Sequence, residues 1–196
     1  MILYRLNTAD FKRMPWKNGG GETTQLAIWP PEADLDNFDW RVTSARVDSS
    51  GPFSAFPDID RSLALLSGGD LRLTVATGGE QSDELTLHPG EQWNQFAGET
   101  SVYGEVAPGS TLIDFNVMTR RGCYRHRLRP LRLDGEQWVD HPLWLIYLTA
   151  GSLRAGSLTL SISPGELLWS EGPAWLRGQA EGWLVEIETL AGAESG

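Results

Sequence analysis

"LTLHPGEQWNQFAGE" (residues 85–99) and "LTLSISPGELLWSEGP" (residues 158–173) carry the same parts in the same order. Each reads as an alternating apolar strand, then Pro-Gly-Glu, then a strand bearing tryptophan. Upstream lies a second matched pair, "LLSGGDLRL" (65–73) and "YLTAGSLRA" (147–155). Setting Gly69 against Gly151 also sets Leu71 against Leu153 and Arg72 against Arg154. The repeated unit is therefore strand, glycine turn, strand, Pro-Gly-Glu turn, strand. Glycine supplies a positive φ and proline fixes the angle of entry. Repeated hairpins with a two-residue period build antiparallel sheets that must fold over or close on themselves to bury one face. The expectation is an all-β chain of two antiparallel β-barrels or jelly rolls. The first occupies residues 1–118, a connector 119–126, and the second 127–196, with exchange of strands between the halves allowed.

Composition agrees with this architecture. The chain has 22 Gly and 11 Pro among 196 residues and no long amphipathic helical stretch. Its formal net charge is −10, from 26 acidic and 16 basic side chains. Such a surface repels phosphate backbones and anionic lipid heads, so nucleic acid and membranes are excluded as expected partners. Cys123 is the single cysteine, which rules out an intrachain disulfide and fits a reducing compartment. The start, "MILYRLNTADFKRMPW", lacks a signal-type apolar run, and "PLWLIYLTAGSL" (142–153) is too short to span a bilayer as a helix. A cytoplasmic protein is expected. A homodimer is compatible with the sequence but not specified by it.

Basic residues are sparse and patterned. Lys12 and Lys17 are the only lysines. In "TRRGCYRHRLRPLRL" (119–133), Arg125, Arg127 and Arg129 alternate with Tyr124, His126 and Leu128, giving a strand with one basic face. The preferred reading is a solvated edge strand whose charges discourage pairing and neutralise an acidic surface. Its rival is an arginine-lined anion site.

Three stretches could carry chemistry. "LIDFNVM" (112–118) puts Ile113, Phe115 and Val117 on one face and Asp114 and Asn116 on the other. The polar pair faces either solvent or a barrel lumen. In "FDWRVTSARVDSSGPFSAFPDIDR" (38–61), Arg41, Thr43 and Ala45 share a strand face. A loop anchored by Phe53 and Phe56 then leads to Arg61, with Asp58 and Asp60 either orienting that arginine or capping the loop. "PWKNGGGETTQLA" (15–27) places Lys17 and Asn18 before three glycines, after which Thr23 and Gln25 share a strand face. The order excludes a P-loop. Either the glycine N–H groups form a nest for a carboxylate beside Lys17, or the run is a turn with an exposed lysine.

Metal and nucleophile motifs are missing. His88, His126 and His141 form no His-x-His arrangement, Glu91 and Glu166 read as structural turn residues, and Cys123 has no activating neighbour. No cofactor is expected. Of nine tryptophans, most should fill the core, with a minority free to line a pocket.

Those three stretches together resemble the HutD/Ves family, and the matching segments span the first 122 residues. The resemblance implies a bicupin, two cupin barrels in one chain, and a role as a non-enzymatic governor of histidine utilisation. It implies a small carboxylate ligand such as N-formylglutamate. The family's motif positions fall on Trp16, Lys17, Asn18, Gly19, Gly20, Thr23, Arg41, Gly51, Pro52, Phe53, Arg61, Asp114 and Asn116. Asp58 stands where the resemblance leads one to expect glycine. The competing reading is a metal-independent cupin enzyme, of isomerase or hydrolase type, acting on a polar or sugar-like molecule through Lys17 or Asp114 as general acid or base.

Overall fold

A computed structural model describes residues 2–16, 19–156 and 160–191. Within them sixteen strands follow one another. The first eight are β1 (Ile2–Leu6), β2 (Lys12–Pro15), β3 (Gly21–Trp29), β4 (Trp40–Val47), β5 (Gly51–Pro52), β6 (Ile59–Gly68), β7 (Leu71–Gly78) and β8 (Gln81–Leu87). The rest are β9 (Trp93–Ala97), β10 (Val102–Val106), β11 (Leu112–Arg120), β12 (Tyr124–Val139), β13 (Leu143–Ala155), β14 (Leu160–Ile162), β15 (Leu167–Glu171) and β16 (Ala174–Thr189).

They form three antiparallel sheets. An outer sheet runs β5-β10-β7-β8, a central sheet β2-β3-β4-β11-β6-β9, and a C-terminal sheet β1-β15-β13-β16-β12 with β14 on β13. In the outer sheet Leu71, Leu73 and Val75 alternate inward and meet Val102 and Val106. Their apolar partners across the barrel are Val47, Leu63, Leu65 and Leu112 of the central sheet. The opposite face of the central sheet carries Val42, Ala64, Phe115 and Val117, packed on Leu145, Leu167, Trp183 and Val185 of the C-terminal sheet. Hence β4 is buried at six consecutive positions, Trp40 to Ala45, where a half-wet strand would alternate. The C-terminal sheet curls around a third core of Leu131, Trp144, Ile146, Leu153, Leu176 and Leu184.

The duplication is visible in the pairing. In the first half β6 pairs with β9 and β11 while β7 pairs with β8 and β10. In the second half the two ends of β13 take both parts, pairing with β15 and then β14, while β16 runs along the whole length. The Pro-Gly-Glu corners also match. Gly90 N–H donates to Leu65 O at 3.0 Å, and Gly165 N–H to Leu148 O at 2.9 Å, both with φ near the left-handed region at 72° and 84°.

These glycine and Pro-Gly-Glu turns are corners, where hairpins were expected. β6 does not pair with β7, nor β8 with β9, so both turns of the first copy move the chain from one sheet to another, while the second Pro-Gly-Glu turn joins β14 and β15, two partners of β13 in one sheet. At Gly151 the strand does not even break, and bends through a register shift between Leu148 and Ala150. One strand is exchanged between the halves, which the expected division allowed for. β1 pairs with β15 in the C-terminal sheet, tied there by Arg5 to Glu166 at 2.6 Å. Strands β11 and β12 continue to Arg120 and from Tyr124, which reduces the connector to residues 121–123. The turn glutamate Glu166 is structural: its other oxygen accepts Ser163 N–H at 2.7 Å.

The basic strand is an edge. β12 lies at the end of its sheet, and Arg125 and Arg129 reach Glu188 and Glu186 on β16 at 2.5 and 3.3 Å. Between the barrels His126 is buried, bonded to Thr119 Oγ1 and Ser62 Oγ at 2.8 Å each, and burial lowers its pKa to about 4.

Gly151 tests the corner. It has φ 75°, and an added Cβ would meet Gln179 O at 2.1 Å and Ala180 Cα at 2.9 Å. Gly135 has φ 96° but its Cβ would meet nothing within 4 Å among the described residues. Urea unfolding should show Gly151→Ala losing about 3 kcal/mol or more and Gly135→Ala about 1 kcal/mol. Equal losses would contradict this packing.

Candidate functional site

The register of the central sheet sets out the site as rows. Arg41 on β4 lies opposite Met118 on β11, which lies opposite Arg61 on β6. In the next row Thr43, Asn116 and Leu63 are opposed, and beyond them Ala45, Asp114 and Leu65. Because the other face of this sheet is covered, these polar side chains point into the N-terminal barrel. That decides the orientation of Asp114 and Asn116, which sequence left open. They line a cavity of about 600 Å³ between the central and outer sheets. Trp16, Thr23, Phe53, Phe56, Leu71 and Gly104 complete much of its wall.

One continuous chain of hydrogen bonds crosses the rows. Arg61 donates from Nε and Nη2 to Asn116 Oδ1 at 2.8 and 2.6 Å. Asn116 Nδ2 donates to Asp114 Oδ1 at 2.8 Å, and the same oxygen accepts Ala45 N–H at 2.9 Å. The Arg61 guanidinium also sits 4.9, 5.9 and 5.6 Å from the ring centres of Phe53, Phe56 and Phe96, an aromatic box suited to a desolvated cation. Asn116 thus links a buried cation to a buried anion, and together the two charges cancel. Burial lifts the Asp114 carboxyl to about 6, against the opposing pull of Arg61, Asn116 and the Ala45 amide. The Arg61 pKa falls to about 10, mainly by burial.

Arg41 stands outside that chain. It is 3% exposed, and its one side-chain hydrogen bond among the described residues runs from Nε to Gln25 Oε1 at 3.0 Å. No carboxylate of the described residues pairs with it, and burial lowers its pKa to about 10. Gln25 was not singled out from sequence as a site residue, although its shared face with Thr23 was the available signal.

The glycine run plays a structural part. Trp16 Nε1 donates to Thr23 Oγ1 at 2.8 Å, closing the clasp between β2 and β3. Gly19 has φ 71° and its N–H donates to Trp16 O at 3.0 Å, so that amide turns the chain and is not offered to a ligand. Gly20 O accepts from Asp48 N–H, and neither Gly19 nor Gly20 forms part of the cavity wall. At Gly21 a Cβ would meet Arg46 O at 2.2 Å and the Trp16 ring at 3.0 Å. Lys17 and Asn18 lie outside the described residues.

Asp58 and Asp60 do not orient Arg61. Asp60 pairs with Arg121 at 2.8 Å, and Arg121 also holds Glu99 at 2.7 Å. Asp58 has φ 59°, the left-handed conformation that favours glycine, which explains the departure noted in the sequence. Gly51, Pro52 and Phe53 do reach the cavity. Among the described residues no three His, Cys, Asp or Glu side chains gather as a metal site. No helix is long and apolar enough to cross a membrane.

The HutD family model matches residues 8–185. Protein Ves of Cronobacter sakazakii is 40% identical over 190 residues, covering 91% of this chain and 96% of its own. A conserved protein of unknown function from Pseudomonas aeruginosa PAO1 has a TM-score of 0.81 at 28% identity, over 96% and 99% of the two chains. HutD from Pseudomonas fluorescens SBW25, solved in a formate condition, has a TM-score of 0.80 at 25% identity, over 97% and 100%. YhhW of Escherichia coli shares the fold alone, at 11% identity and a TM-score of 0.66 over 96% and 99% of the two chains. The fold is a cupin-type one, all-β and jelly-roll-like in its sheets.

The raised pKa of Asp114 has a stability consequence. Below its ordinary 3.8 the carboxyl is protonated folded or unfolded, and between 3.8 and about 6 only the unfolded chain ionises. Stability from this group is therefore full at low pH and falls as pH rises, by about 3 kcal/mol once above 6. His126 acts with the opposite sign between about 4 and 6.5. In chemical denaturation, Asp114→Asn minus wild type should shift toward the mutant from pH 4 to 6.5, whatever its offset. A flat difference would refute the buried, ionisable carboxyl.

Proposed function

The chain belongs to the HutD family, which is linked to histidine utilisation, and we propose that it is a small-molecule-binding regulator whose cavity captures a carboxylate. The observation that carries this reading is Arg41. A cation buried without a counter-charge is costly, and the cost is relieved when an anion supplies the partner. The Asn116-linked pair leaves Arg41 as the one uncompensated charge among the described residues of the cavity wall. Since Nε is held by Gln25, the Nη atoms are the edge left for a ligand, in the planar geometry that suits a carboxylate. The protein carries −10 overall, so an anion is repelled by most of its surface and needs this local site.

N-formylglutamate is the ligand we favour, by the family resemblance and by its carboxylates. Titration calorimetry with N-formylglutamate, urocanate and glutamate should give saturable binding for at least the first. Arg41→Gln should weaken it about 100-fold, the scale of a lost buried charge-assisted contact. Absence of saturable binding by wild type, or an unchanged Arg41→Gln variant, would sink the proposal.

An enzymatic reading has one observation in its favour: the Asp114 carboxyl, with a pKa of about 6, is poised for proton transfer near neutral pH. NMR of the same three compounds incubated with purified protein separates the readings. Turnover lost in Asp114→Asn would establish an enzyme; unchanged spectra would leave binding as the function.

A further inference from the structure

Asp114 offers the cavity one unused oxygen. Its carboxyl is 1% exposed and lines the cavity. Oδ1 takes both available bonds, from Ala45 N–H and Asn116 Nδ2, and Oδ2 takes none among the described residues. Oδ2 opens on the same cavity as Arg41, where the donor of a bound molecule can reach it. Along β4 Arg41 is four residues from Ala45, the partner of Asp114, roughly 13 Å of backbone that the length of the arginine shortens.

We infer that the cavity selects acids carrying an N–H or O–H donor a few bonds from the carboxylate. The carboxylate sits on the open edge of Arg41, and the donor reaches Asp114 Oδ2. This inference rests on the anion-binding reading above and names the class of acid it admits. Without the donor, a carboxylate placed here meets the like charge of Asp114 with nothing between them. With it, the repulsion is offset by a charge-assisted hydrogen bond. A site built around a buried acceptor rejects an analogue that lacks the donor far better than it rejects a change of size.

The charged group that acts on Asp114 is Arg61, linked to it through Asn116, and Arg41 is the other charged side chain of the same cavity wall. Because Oδ1 already receives two protons, protonation falls on Oδ2, which then donates where it had accepted. The selection therefore requires the ionised carboxyl and fades below about pH 6.

N-acetylglycine and 4-oxopentanoate share one skeleton and one carboxylate, and differ by N–H in place of CH₂. Calorimetry at pH 7.5 should show N-acetylglycine binding the wild-type protein at least about 10-fold more tightly. The ratio should approach one at pH 5, and in Asp114→Asn should be near one at both pH values. Equal affinities at pH 7.5, or a ratio indifferent to pH, would overturn the inference while leaving the anion reading intact, provided both acids bind. Failure of N-acetylglycine to bind wild type, or its undiminished binding by Arg41→Gln, removes the anion reading and this inference with it, whereas failure of 4-oxopentanoate alone is the selection at its extreme. If Asp114→Asn does not fold, the pH series on wild type decides alone.

Discussion

Covering both faces of the central sheet is the constraint from which the site follows. One face of β4, β6 and β11 packs on the C-terminal sheet through Val42, Ala64, Phe115 and Val117, so the other is turned into the first barrel. Any polar side chain on that face has no route to bulk water along its own strand. Arg61, Asn116 and Asp114 answer this by bonding to one another in sequence, and the aromatic box around Arg61 replaces its hydration. Arg41 has only Gln25 and the cavity. The second barrel has a core cluster of leucines, isoleucines and tryptophan, among them Leu131, Trp144, Ile146 and Leu176.

The duplication was legible because its markers are backbone demands. Gly90 and Gly165 need positive φ, and proline fixes the approach, so the same letters return wherever the same corner returns. What the letters could not show was whether the chain turned back or turned aside. A hairpin and a corner ask for similar residues, and the difference lies in which strand supplies the partner, often dozens of residues away. For the same reason the exchange of β1 into the far sheet left no local trace beyond an ordinary apolar strand.

The site was legible in half. Period-two alternation grouped Asp114 with Asn116 and Arg41 with Thr43, but alternation assigns two faces without saying which is dry. That needed a second sheet behind the first. The glycine run pointed to tight backbone, which is correct, and to an anion nest, which the Gly19 amide contradicts by bonding to Trp16 O. Gln25 was not assigned to the site because a glutamine on a strand is unremarkable until an arginine of the neighbouring strand has no carboxylate among the described residues.

The pairing of β1 with β15 orders events during synthesis. Ile2–Leu6 is made some 165 residues ahead of its partner, Leu167–Glu171. At ordinary elongation rates the wait between them is on the order of ten to thirty seconds. Through that interval the N-terminal barrel can close over its cavity while β1 has no partner strand. Docking β1 is thus a stitch, in which an early piece of the nascent chain is sewn to one made much later.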